Sequence, residues 1–81
     1  VQTVYSIIKG KAEAAEFLIR DNSPVLGKPL MELKFKPNVL VAVILRGNRV
    51  IIPRGSDVIE NNDSVIVVSD IRPHDISDIL D

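Results

Sequence analysis

The sequence predicts an α+β domain built on a small antiparallel-rich β-sheet with two short helices. Two apolar runs without alternation, VLVAVIL (39–45) and SVIVVS (64–69), are rich in β-branched residues and are typical of strands buried on both faces. Gly47-Asn48 separates the first run from VII (50–52), which is the pattern of a two-residue hairpin turn. Segments starting near Pro29 and Pro73 instead space their apolar residues as amphipathic helices do.

The N-terminal half adds two strands and one of these helices. VQTVYSII (1–8) fits a first strand, or an extended linker, and we predict a second strand over 14–20. Turn-forming residues fill 20–24. A helix of at most two turns is predicted within 27–35, with Leu30 and Leu33 on one face.

The C-terminal half predicts a hairpin that is apolar on both faces. Its two-residue turn places three pairs opposite one another: Leu45 with Val50, Ile44 with Ile51, and Val43 with Ile52. Pro53 ends the return strand because it has no N–H to donate. An amphipathic helix over 73–80 follows the last strand. Two helices this short cover one face of a sheet, so a second layer is expected from other strands or from a second copy of the chain, and we predict a homodimer.

Composition excludes several classes of protein. The chain has 81 residues, 46% of them hydrophobic but only 4% aromatic, so one domain with an aliphatic core is expected. Net charge is −1, which argues against nucleic acid as a partner, although residues 1–54 carry +5 and residues 55–81 carry −6. This asymmetry indicates either a solvated acidic end or a charge-complementary contact. There is no cysteine and no apolar run of membrane-spanning length. Because the chain starts at Val1, we expect it to be a fragment of a longer protein.

Candidate metal ligands are sparse. His74, the one histidine, has Asp75 and Asp78 nearby and could supply half of a metal site, but a solvated side chain is the simpler interpretation. A loop spaces three carboxylates by three residues, which suggests a divalent cation or simply turn-forming acids; the three are Asp57, Glu60 and Asp63. We predict no metal.

Catalytic and phosphate-binding patterns are also missing from the sequence. Ser56 and Ser69 have no histidine at a triad spacing, and the four glycines form no nucleotide-binding motif. Three arginines around the hairpin could hold an anion or form a solvated rim: Arg46, Arg49 and Arg54. We therefore predict that the chain is not an enzyme.

The chain from about residue 11 to 70 resembles the C-terminal module of potassium-conductance regulators, the RCK-C or TrkA-C domain. Five segments carry the resemblance in the family's order: AEAAEF, GKPLMEL, VAVILRG, VIIPRGSDVIENND and SVIVV. Two departures are Asn62-Asp63, where the family usually has Gly-Asp, and Lys36-Pro37-Asn38, where it often has Pro-x-Gly. Asn tolerates the left-handed backbone, so the first departure leaves the turn intact.

The resemblance implies a non-catalytic regulatory domain, over residues 11–81, of a Trk-type potassium uptake system. Residues 1–10 would lead in from an upstream Rossmann-type domain, which would bind NAD or ATP. The protein would be cytoplasmic and would reach the inner face of the plasma membrane through a membrane potassium transporter subunit. The alternatives are a TrkA-C-type ligand-binding module of another carrier, an antiporter or a transcription regulator, and a purely structural dimerisation domain.

The resemblance also implies a dimer cleft for a small regulator such as cyclic di-AMP. The positions that match the cleft are Leu30, Met31, Lys36, Leu40, Val41 and Pro53. They would form an apolar floor for a purine, with one cation for a phosphate. The expected dimer interface is Val39, Val41 and Val43.

Overall fold

The computed structural model describes residues 3–81, and its five strands form one antiparallel sheet. The strands are β1 (Thr3–Ile8), β2 (Ala12–Leu18), β3 (Val39–Arg46), β4 (Arg49–Ile51) and β5 (Ser64–Ser69). Their order across the sheet is β1-β2-β5-β3-β4, so the last strand of the chain lies in the centre. The first two residues of the predicted segment 1–8 lie outside the described residues.

The hairpin between β3 and β4 has the predicted register. Leu45 pairs with Val50 and Ile44 with Ile51, and Gly47 takes the positive φ of +60° that the turn requires. β4 ends at Ile51, one residue earlier than predicted, so the expected pairing of Val43 with Ile52 does not form. Five residues at the start of β3, from Val39 to Val43, therefore have no strand on the β4 side.

A β-bulge in β3 decides which residues face inward. The register against β5 shifts between Val41 and Val43, so two residues of β3 oppose one of β5. Before the bulge Val41 faces the core, and after it Ile44 does, with exposures of 7% and 0%. Val43 is consequently turned to the opposite side of the sheet.

The predicted helix within 27–35 is wrong: the segment contains only a 3-10 turn, Leu30–Glu32. Leu33 is already extended, with ψ at 139°. The turn is anchored by contacts to a distant loop, since the N–H of Leu30 donates to Asp57 O and that of Met31 to Gly55 O. Because Leu33 is extended and Pro37 disfavours helix just before it, the segment does not continue as an α-helix.

The predicted C-terminal helix over 73–80 is also wrong, because only Ile76–Ile79 form a 3-10 turn. Its start is capped by its own acidic residues, since Asp75 and Asp78 form a reciprocal capping box. Leu80 is extended and forms a bridge with Phe35, which ends the turn. The domain is thus mostly β, with 3-10 turns in place of the two helices; residues 3–81 contain no helix long and apolar enough to cross a bilayer.

The hydrophobic core lies on one face of the sheet, beneath the loops and the two 3-10 turns. It is almost wholly aliphatic, as the composition predicted, and Phe17 is its one fully buried ring. The core residues from the strands are Ala15, Phe17, Val41, Ile44, Val65 and Val67, and those from the covering segments are Ile19, Val25, Leu30, Ile59, Ile76 and Ile79.

The other face of the sheet, called here the outer face, is apolar and uncovered. By strand alternation its apolar residues are Tyr5, Ile8, Ala12, Ala14, Leu18, Leu40, Val43, Leu45, Val50, Ile66 and Val68. Its polar residues are Thr3, Ser64 and Glu16, of which Glu16 is the one with a charge. Three of the large side chains are well over half exposed: Tyr5 57%, Leu40 61% and Val50 66%. The sheet is therefore apolar on both faces, but this chain covers only one of them.

Candidate functional site

A groove lies beside the first half of β3, where β4 has already ended. Its volume is about 230 Å³, and it is lined by Leu30, Met31, Phe35, Val39, Leu40, Val41, Pro53, Arg54 and Gly55. The early end of β4 creates it, because Pro53 cannot donate to the ladder and the chain turns away. The groove thus joins the first 3-10 turn, the open edge of β3 and the loop after β4.

The floor of the groove is apolar and its rim is cationic. Leu30 and Val41 are buried, whereas Met31 is 69% exposed and available for contact. Gly55 allows the loop to approach closely, since a Cβ there would lie 3.2 Å from the Met31 Cβ. Arg54, in the same loop, is the charged residue among the lining side chains.

The structure brings together five of the six positions predicted for a ligand. Leu30, Met31, Leu40, Val41 and Pro53 all line the groove.

Lys36 does not line the groove. Its N–H donates to Ile79 O, which ties that stretch of backbone to the second 3-10 turn. The cation at the groove is Arg54 instead, one of the three arginines noted around the hairpin. Phe35 and Val39 also line it and were missed, because the bulge and the early end of β4 have no clear sequence signature.

The three valines expected at a dimer interface do not share a face. Val41 is 7% exposed and belongs to the core, and Val39 packs partly against that core. Val43 lies on the outer face, beyond the bulge. Of the three, Val43 is the one placed on the uncovered side of the sheet.

Arg46 and Asp63 form a clamp that holds the loop of the site against the hairpin. The guanidinium donates to both Asp63 oxygens, from Nε at 3.0 Å and Nη2 at 2.9 Å, and Nη2 also donates to Val58 O. Asp63 is 1% exposed and accepts a further bond from the Glu60 N–H at 2.8 Å. Glu60 adds an ion pair with Arg46 at 3.1 Å. Arg46 is therefore committed to the fold and is not directed at a ligand.

The electrostatics of this clamp follow from its geometry. Burial raises the pKa of the Asp63 carboxyl, but hydrogen bonds from Arg46 and the Glu60 amide outweigh it, so the pKa lies below its ordinary value of 3.8. The hydrogen bonds that Arg46 donates to Asp63 also raise the pKa of Arg46. Both groups are ionised at neutral pH.

The clamp also accounts for the acidic loop that suggested a divalent cation. Asp63 and Glu60 pair with Arg46, and Asp57 accepts a bond from the Arg54 N–H at 2.6 Å. In residues 3–81, no group of three or more histidine, cysteine or carboxylate side chains is arranged to hold a metal ion.

His74 lies at a second cavity of about 370 Å³, beside β1 and β2. Arg72 is also at this cavity, where it pairs with Glu13 at 3.5 Å, and Ser69 donates its hydroxyl to Ile71 O. Ser69 is therefore held by the backbone and is not poised as a nucleophile.

Comparison with known proteins gives a consistent result. The TrkA-C domain family matches residues 14–78. The Trk system potassium uptake protein TrkA homolog 1 of Methanosarcina mazei is 35% identical over 85% of this chain, and TrkA of Haemophilus influenzae is 33% identical over 83%. TrkA of Mycobacterium tuberculosis is 35% identical over 74%. The chain spans 15%, 15% and 27% of these three relatives, respectively. This chain belongs to the TrkA-C domain family.

Proposed function

We propose that this chain is the regulatory module of a Trk-type potassium uptake system, binding a small ligand in the groove beside β3. The observation that carries the proposal is the match of residues 14–78 to a family of generally non-catalytic regulatory domains. The names of the relatives support potassium uptake as the process. Because the chain spans only a small part of those proteins, the upstream nucleotide-binding domain, the transporter partner and the cytoplasmic location are parts of the proposal.

The groove supports a ligand with an aromatic base and a phosphate. Met31, Leu40 and Pro53 offer an apolar surface to a base, and Arg54 can form a bidentate contact with a phosphate. At about 230 Å³ the groove of one copy is smaller than the roughly 300 Å³ at which ligand pockets begin. A second copy would supply the remaining surface. Cyclic di-AMP, which has two bases and two phosphates, is the ligand we propose.

The experiment is a calorimetric titration of cyclic di-AMP into the chain and into two matched variants. Arg54→Ala removes the cation at the groove, and Lys36→Ala removes a cation outside it. We expect micromolar binding that weakens about tenfold, or about 1.4 kcal/mol, in Arg54→Ala and little in Lys36→Ala. The reverse order would move the phosphate contact to Lys36. Absence of heat and of chemical-shift changes at high ligand concentration would instead favour a purely structural dimerisation domain.

We also propose that a second copy covers the outer face. A two-layer packing of that face would bury its exposed apolar side chains, as in other sheet-on-sheet interfaces. Val43→Glu places a charge on that face, so it should give a folded monomer by light scattering. Val41→Glu places the charge in the core and should unfold the chain, since an unpaired buried charge costs several kcal/mol. A wild-type mass of one chain across micromolar concentrations would contradict the dimer.

A further inference from the structure

The two edges of the sheet differ in how well they are protected from pairing. β4 is three residues long, begins with Arg49 and is followed closely by Pro53, and these are devices that block strand addition. β1 is six residues long and has no charge, proline or covering segment along Thr3–Ile8. Four of its side chains are more than half exposed: Val4 51%, Tyr5 57%, Ile7 53% and Ile8 55%. A bulge interrupts its register against β2 between Ser6 and Ile8, but Thr3–Ser6 pair regularly, and this stretch of β1 is therefore the less protected edge.

The direction of the backbone groups of β1 follows from the register of the sheet. Ile19, directly after β2, donates its N–H to Asp63 O on the β5 side. Because N–H and C=O directions alternate along a strand, the odd residues of β2 bond toward β5 and its even residues bond toward β1. Ala14 is one of these even residues, and its partner in β1 is Tyr5.

Tyr5 therefore bonds to β2, and its neighbours Val4 and Ser6 direct their N–H and C=O groups away from the sheet. These two donors and two acceptors form a short ladder without a partner strand inside the described chain. An edge of this kind is a template for one more strand.

We infer that β1 is a strand-pairing interface and that its partner is β1 of a second copy of this chain, in antiparallel orientation. A two-fold axis at Tyr5 would place Val4 opposite Ser6 of the other copy, and Ser6 opposite its Val4. That register satisfies all four outward backbone groups of each strand. It also brings the two Tyr5 residues together as a closely spaced, non-hydrogen-bonded pair of aromatic rings on the outer face.

The choice of a second copy rests on self-complementarity. A two-fold interface sets a surface against itself, so a charge near the axis would meet a like charge. β1 has none, and its central residues satisfy one another when the strand pairs with itself. This edge borders the outer face, since Tyr5 belongs to both, but the strand pairing runs through the backbone groups of Val4 and Ser6 and does not require the outer face to be covered.

Amide hydrogen exchange tests the pairing without any mutation. In the single chain the amides of Val4 and Ser6 face solvent and should exchange rapidly. At a concentration where the edge is paired, both should exchange roughly tenfold more slowly or better, while Tyr5 changes less because β2 already protects it. Unchanged exchange of Val4 and Ser6 in a sample that light scattering shows to be associated would overturn the inference and leave the outer-face dimer standing.

Cysteine cross-linking tests the register. The chain has no cysteine, so Tyr5→Cys provides a single thiol on the proposed axis, and Val50→Cys provides a matched exposed thiol on the opposite edge. Mild oxidation should link Tyr5→Cys chains into dimers much faster than Val50→Cys chains. Adding Ser6→Pro, which deletes one outward N–H but no bond to β2, should abolish the fast reaction. Equal rates for the two thiols, or a fast reaction that survives in a folded Ser6→Pro chain, would refute pairing at β1.

Discussion

Removing either side of the Arg46–Asp63 clamp should destabilise the domain, but by different amounts. Arg46→Ala leaves the Asp63 carboxylate, 1% exposed, buried with only the Glu60 amide as a donor. Breaking a buried ion pair in this way costs about 3–5 kcal/mol. In Asp63→Ala the stranded guanidinium is 30% exposed and can turn toward water and Glu60. The stability lost in Asp63→Ala is therefore closer to that of one hydrogen bond to a charged group, about 1.5–3 kcal/mol.

Urea unfolding at pH 7 and at one fixed protein concentration measures both values. We expect Arg46→Ala to be the less stable variant by about 1–2 kcal/mol, the difference between those two costs. The double variant should lose less than the two single losses combined, because neither charge is then left alone. Equal losses, the opposite order, or a loss below about 1 kcal/mol for Arg46→Ala would contradict the view that this pair is buried and energetically coupled.

Three further predictions concern the same framework. The pKa of Asp63 is lowered in the folded state, so its contribution to stability is present above the ordinary pKa of 3.8 and is lost as pH falls below it. In that pH range the urea midpoint should therefore drop less steeply for Asp63→Asn than for the unsubstituted chain. Ile44→Ala, at a site with 0% exposure, should cost about 2–5 kcal/mol, whereas Val43→Ala should cost less; similar losses would contradict the sidedness set by the bulge. Gly47→Ala should cost about 1 kcal/mol because φ is +60° there, and a thermal melt unchanged within error would show that the turn can relax.

The sheet was predictable because its signals are local. Gly47-Asn48 specifies a two-residue turn, and that turn alone sets the register of Ile44 with Ile51. The aliphatic runs of β3 and β5 likewise need no knowledge of distant residues to be recognised as buried strands. The register and the two strands were confirmed, but in this chain only one face of β3 and β5 is buried.

The two helices were not predictable in the same way. Leu30 and Leu33 have helical spacing, but Leu33 is extended, and the turn before it is fastened to the loop that follows β4 by the N–H groups of Leu30 and Met31. These contacts are tertiary, and the sequence of the segment itself gives no sign of them. In the C-terminal segment Leu80 is similarly held extended by its bridge to Phe35.

The candidate site was only partly predictable. Its apolar positions coincide with positions expected from family resemblance, but the charged position does not, since Arg54 and not Lys36 lines the groove. The reason is again tertiary. The N–H of Lys36 bonds to Ile79 O, which holds this residue at the second 3-10 turn, and the loop after the early end of β4 places Arg54 at the groove. There was also no sign in the sequence of the bulge, where one extra residue places Val43 on the face opposite to Val41.

The central position of β5 has a consequence for how the domain is made. The pair β1–β2 and the pair β3–β4 touch different sides of β5 and do not pair with each other. During synthesis, both hairpins leave the ribosome before the strand that unites them, and until Ser64–Ser69 emerge neither can bury its half of the core. A nascent chain halted before that point would expose two unfinished sheet edges, which are surfaces that chaperones bind and that promote aggregation. Completion of the sheet therefore waits for one six-residue strand near the end of the chain.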